Sequence, residues 1–139
     1  MTARKEEALR STRHGNTFEE AVFLFVQGEA HRLGDIATAT GNTTGLIKNN
    51  KKGDVVIQLS PECAAASEQI VLEAKEDKSY SLLSARAELE EARKNRGAQI
   101  GGFVFSSRLA PAGLDPVARY GNDIIVVWDA EERCWVEKQ

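Results

Sequence analysis

Between residues 17 and 32 the apolar side chains return at helical spacing. Phe18, Val22, Phe25 and then Glu29 follow a 4-3-4 rhythm, and Ala21 and Val26 widen the apolar stripe. The pattern predicts a helix over 17–32. Asn16 or Thr17 can cap it, because each has a Glu three residues later, Glu19 or Glu20, and Gly34 ends it. Residues 35–50, rich in Thr, Asn and Gly, predict a short strand near 35–40 and a turn around GNTTG. A strand over 54–59 follows in KKGDVVIQL and stops at Pro61, where PECAAASE forms a loop. QIVLEAK, residues 69–75, is apolar enough to predict a central strand covered on both faces. After the EDKSYS connection, Leu82, Ala85, Leu89 and Ala92 share one face of a helix over 81–96, with Gly97 as its C-cap. IGGFVFS and DIIVVWD, separated by the loop LAPAGLDP, predict two further strands, and CWVEK a terminal strand or hairpin return. The order is α-β-β-β-α-β-β. A helix between two buried strands needs a crossover, so the chain is expected to be α/β with a mixed, partly parallel sheet.

Composition narrows this picture. The chain has 139 residues, 42% hydrophobic and 28% charged, which suits one globular domain able to bury its own core. A net charge of −3 argues against a protein that coats nucleic acid, but leaves room for a locally basic groove. Cys63 and Cys134 have no CxxC or His pairing, so no zinc site is expected. Cys134, in an apolar run, is expected to be a buried reduced thiol, and the compartment cytoplasmic. No run approaches the ~18 apolar residues of a membrane helix, and the start, MTARKEEALR, lacks the apolar core of a secretory signal. Residues 1–13 are highly charged, as in a frayed helix, a linker or the tail of a coiled coil.

The candidate chemistry lies in Asp54 and the Glu73-Ala74-Lys75 triplet. Alternate strand residues point the same way, so Glu73 and Lys75 share one face while Leu72 and Ala74 take the other. Two charges on one side of an apolar central strand are expensive unless they are paired or used. Asp54 opens the preceding strand, and a hairpin-like return would set it beside Glu73. Adjacent carboxylates repel and raise one pKa; a divalent cation removes that conflict. Their hard oxygens suit Mg²⁺ or Mn²⁺. Phosphodiester hydrolysis is the chemistry such a site performs, with Lys75 orienting the attacking water or stabilising the developing negative charge.

An Asp, a variable gap and then hydrophobic-Glu-x-Lys resembles the PD-(D/E)XK, or restriction-endonuclease-like, nuclease superfamily. Gly15-x-x-Phe18-Glu19-x-x-Val22 is similar to the GxxFExxV pattern of several of its branches. The resemblance covers about residues 15–128. It implies an αβββαβ core with a mixed central sheet flanked by helices, and a Mg²⁺-dependent (or Mn²⁺-dependent) nuclease acting on DNA. It also implies Asp54 and Glu73 as metal ligands, Glu19 as an added metal or water ligand, and Lys75 as the catalytic lysine. Gly53 stands where the motif name has Pro, as in many members. Residues 15–139 would form the nuclease-like domain, and 1–14 an extension or the end of a coiled coil like those that precede such domains in bacterial proteins.

Each of these residues has a plainer use. Asp54 suits a tight turn, Glu73 and Lys75 a cross-strand ion pair, and Glu19 a capping box for which Glu20 competes. Lys52 (with Lys51), Tyr80 and Arg93 are the candidates for nucleic-acid contact. However, Arg86, Arg93, Lys94 and Arg96 are interleaved with Glu88, Glu90 and Glu91 at salt-bridging distances along a helix. Tyr80 equally suits loop packing, and Trp128 and Trp135 suit a core or an interface. The rival to a nuclease is a catalytically silent domain of the same fold that binds nucleic acid or protein, or pairs with a second copy through its final strands.

Overall fold

The computed structural model describes residues 3–62 and 68–129, of which 3–17 are described by their backbone only. Cys63, Cys134, Trp135 and the terminal CWVEK segment lie outside the described residues, as does most of the PECAAASE loop. The elements are α1 (Ala3–Leu33), β1 (Ile36–Ala39), β2 (Val55–Gln58), β3 (Gln69–Lys75), α2 (Leu82–Arg96), β4 (Ile100–Ser106), β5 (Val117–Tyr120) and β6 (Asp123–Trp128). Among the described residues no helix is long and apolar enough to cross a membrane.

One six-stranded mixed sheet carries the molecule, in the order β1-β2-β3-β4-β6-β5. β1, β2 and β3 form an antiparallel meander. α2 then carries the chain across, so that β4 lies parallel to β3, and β6 lies parallel to β4. Helices cover both faces. Ala85 and Leu89 of α2 pack on Phe103, Phe105 and Ile125. On the opposite face, Phe18 and Val22 of α1 pack on Ala74 and Val104, with Trp128 closing the cluster through ring contacts to Phe18 and Phe25. Double coverage is why β3 and β4 read as nearly continuous apolar runs. It also puts Glu73, 2% exposed, in the middle of the sheet.

Three local expectations need correction. Helix α1 does not start at Thr17: it is continuous from Ala3, so Asn16 and Thr17 are interior positions rather than caps. Ala, Arg, Lys, Glu and Leu in the first turns are strong helix formers, and their summed propensity carries the helix through Gly15 despite its cost of about 1 kcal/mol. The second correction is β5, absent from the expected order. Val117–Tyr120 pairs antiparallel with β6 in register Tyr120↔Asp123, across a two-residue Gly121-Asn122 turn. Its exposure alternates, and at four residues it is too short to show a period. The third concerns Phe25 and Glu29 on the α1 stripe. Phe25 is 46% exposed, and Glu29 is an exposed partner of Arg32. α2 behaves as its sequence predicts: Ser81 caps it in a capping box closed by Ser84, and Gly97 ends it in the left-handed conformation.

Candidate functional site

β2 and β3 pair in register Val55↔Leu72, which places Gly53-Asp54, just before β2, beside Glu73-Ala74. The two dipeptides exchange hydrogen bonds. Gly53 N–H donates to Glu73 Oε1, and Ala74 N–H donates to Asp54 Oδ2 at 2.9 Å. Asp54 N–H also donates to the Leu72 carbonyl at 2.8 Å. Each carboxylate is therefore aimed through one of its oxygens. Glu73 Oε2 lies 3.9 Å from Lys75 Nζ.

Gly53 is required by this clamp. Its φ is +102°, and a Cβ there would stand 2.7 Å from Arg96 and 2.8 Å from Val71. Proline, with φ near −65°, cannot hold that backbone.

The electrostatics follow from crowding. Burial, then the neighbouring Asp54 carboxylate, pushes Glu73 up to about 8, against a smaller lowering from the Gly53 hydrogen bond. Burial acts to lower Lys75, but Asp54, Glu73 and further groups around it outweigh this and hold it above its ordinary value, as an ammonium. Glu19, on α1, is raised by burial and then by Asp54, and lowered by Lys75. It therefore senses both groups. Glu19, Asp54, Glu73 and Lys75 line one cleft of about 960 Å³.

Two other walls of this cleft were not expected. From α2 comes Glu88. Tyr80 donates to its Oε1 at 3.1 Å, and Glu88 Oε2 is, among the described residues, the buried side-chain oxygen or nitrogen left without a hydrogen-bond partner. Glu88 had looked like one of several solvated helix acids. Its signal was present in the sequence: Ala85, Glu88, Leu89 and Ala92 occupy the i, i+3, i+4, i+7 stripe of α2, so a charge sits on the buried face.

The other wall is loop 40–53, held by the end of α2. Arg96 donates to the carbonyls of Thr40, Thr43, Lys51 and Lys52 at 2.6–3.0 Å. Asn95, fully buried, donates to the Asn50 and Lys52 carbonyls and accepts from Ile47 N–H, all at 2.9 Å. At Gly45 a Cβ would stand 2.8 Å from the Asn95 carboxamide, so only glycine lets the loop approach.

The candidates for nucleic-acid contact are placed differently from one another. Lys52 lines the cleft but is tied to Glu91 at 3.0 Å. Arg93, with Arg86, pairs with buried Asp123 at the start of β6. Arg96 is spent on loop carbonyls and Lys94 on Glu90. The ring of Tyr80 packs on Phe103 at 5.3 Å, and its hydroxyl is pushed up to about 12 by burial and the Glu88 bond. The helix arginines and Tyr80 each find a partner inside the protein.

The donor set bears on a divalent cation. Among the described residues no group of three or more His, Cys, Asp or Glu side chains stands ready to hold a metal ion. Mg²⁺, however, is commonly held by one or two carboxylates, with waters and substrate phosphates completing its octahedron. Asp54 and Glu73, each oriented through one oxygen, fit that requirement, and the orphaned Glu88 oxygen supplies an acceptor in the same cleft. No protein-family model, no curated protein and no solved structure matches this chain.

Proposed function

We propose that the chain is a Mg²⁺-dependent nuclease of the PD-(D/E)XK type, acting on DNA. The observation that carries this reading is the reciprocal clamp: a buried glutamate and an aspartate, fixed by each other's backbone, with a lysine at 3.9 Å and an open cleft in front. The element order α-β-β-β-α-β and the parallel β3–β4 pair support it, as does Glu19 beside Asp54.

In this reading Asp54 and Glu73 would hold the cation, and Glu19 would assist. The cation would lower the pKa of a coordinated water and neutralise phosphate charge. Lys75, charged at neutral pH, orients the attacking water or donates to the oxygen on which negative charge grows. The hydrogen bonds from Gly53 and Ala74 keep the carboxylates from turning, so no reorganisation is needed as the reaction proceeds.

The test is Mg²⁺-dependent cleavage of plasmid and of single-stranded DNA. Wild type should cut, and Lys75→Ala should lose roughly 10²–10³ in rate, the usual worth of one such donor. Equal rates would remove Lys75 from the mechanism, and no cleavage of either substrate would remove the nuclease reading. The alternative is a silent domain that binds nucleic acid in the same cleft. In that case binding would persist with no cleavage in either Mg²⁺ or Mn²⁺.

A further inference from the structure

The walls of the cleft differ in chemistry. On the loop side stand Lys48 and Lys51, both exposed, both lining the cleft and neither in an ion pair among the described residues. Their backbone is fixed: Arg96 binds the Lys51 carbonyl, Asn95 binds Ile47 N–H, and the Leu46 N–H donates to the Asn95 carbonyl at 2.7 Å. The two charges are therefore presented from a preordered segment, with little ordering cost left for binding. On the opposite side stands Phe23 of α1, half-buried and lining the cleft. It belongs to neither apolar cluster, whereas Phe18 and Phe25 both pack on Trp128. Of the three described α1 phenylalanines, only Phe23 lines the cleft.

We infer that this cleft takes a single nucleic-acid strand rather than a duplex, with Lys48 and Lys51 on the backbone and Phe23 stacked on an unpaired base. A basic wall that tracks phosphates, facing an aromatic that stacks on bases, is how single strands are held without sequence readout. In a duplex the bases are already stacked on each other, and an aromatic at this position gains nothing. Asp54, Glu73 and Lys75 line the same cleft, so a strand seated this way would bring a phosphodiester to them. The inference rests on the cleft taking nucleic acid, as both readings above have it.

The experiment is an anisotropy titration of one labelled oligonucleotide, as single strand and as duplex. It is run in Mg²⁺ on a Lys75→Ala background so that the strand stays intact. The single strand should bind at least roughly tenfold more tightly than the duplex. Phe23→Leu should weaken single-strand binding by roughly tenfold, in line with the worth of one base stack, and leave the salt dependence unchanged. Phe23→Trp should restore it. Lys48→Ala with Lys51→Ala should reduce the slope of log affinity against log salt by about 1.4, two single-strand phosphate contacts. A duplex bound as tightly as the single strand, or Phe23→Leu binding like its parent, overturns the inference even if wild type cleaves DNA. If the binding results hold but wild type never cleaves that strand in Mg²⁺, the nuclease reading fails and the inference stands.

Discussion

Glu73 concentrates the tension in this molecule. Its raised pKa has a consequence for stability whose sign is fixed. Between the ordinary glutamate value of 4.5 and about 8, the folded protein keeps a proton that the unfolded chain has released. Stability must therefore be highest below that window, fall as pH rises through it and level off above it. Glu73→Gln keeps an oxygen acceptor for Gly53 N–H but cannot ionise. In metal-free buffer the variant should show a flatter stability profile than wild type across pH 5–8, and the greater stability at the upper end. Urea denaturation at several pH values reads this directly, and parallel profiles would show that Glu73 is not held protonated. Gly53 makes a second case. Gly53→Ala must place a Cβ against Arg96 and Val71 at a φ of +102°, and should destabilise by about 1–3 kcal/mol or more. A variant as stable as wild type in urea would mean that the clamp tolerates another backbone.

Helix α2 does more than cross between β3 and β4. One side of it supplies Ala85, Leu89 and Ala92 to the core, and its polar stripe residues Glu88 and Asn95 build the cleft. Asn95→Ala would strand Ile47 N–H and leave the Asn50 carbonyl with Gly45 N–H and the Lys52 carbonyl with Arg96, and should cost about 1–3 kcal/mol. Hydrogen exchange should speed up across residues 45–53 while β4 and β6 stay protected. Uniform protection would show that Arg96 alone holds the loop. Much of this architecture could be read from the sequence. The β3 and β4 boundaries, the α2 start near Ser81 and the Gly97 stop all follow from local patterns that the tertiary fold does not override. Strand alternation put Glu73 and Lys75 on one face and an expected hairpin return put Asp54 beside Glu73, whereas Glu19 entered only through the resemblance of its helix motif. What was hidden depends on long-range pairing. β5 is defined by its partner β6, and the loop is held by residues more than forty positions away. The α2 arginines were expected to pair with glutamates along the helix, but Arg86 and Arg93 pair instead with Asp123, thirty residues beyond Arg93.

The two helical layers and the sheet between them put one acidic centre under a cleft, and that arrangement links metal, proton and fold. If the cleft holds Mg²⁺, binding must displace the proton kept by Glu73, since a carboxylate ligates only when ionised. Metal affinity should then rise with pH through the range up to about 8 in which Glu73 titrates. The fold feels the same linkage, because a ligand that binds only the folded chain stabilises it by about 2.7 kcal/mol at a hundred times its dissociation constant. Excess Mg²⁺ should therefore raise the melting temperature of wild type by a few degrees at about pH 8.5, and by clearly less at about pH 6. It should also cancel the loss of stability that wild type suffers on going from low to high pH without metal. Asp54→Asn removes one ligand charge and the main neighbour that raises Glu73, so its metal response should be weak at both pH values. Glu73→Gln should respond weakly and without pH dependence. Differential scanning fluorimetry with Mg²⁺, with Mn²⁺ and with EDTA separates these cases. A wild-type shift that is the same at both pH values, or is retained in Asp54→Asn, would place any bound cation away from this pair.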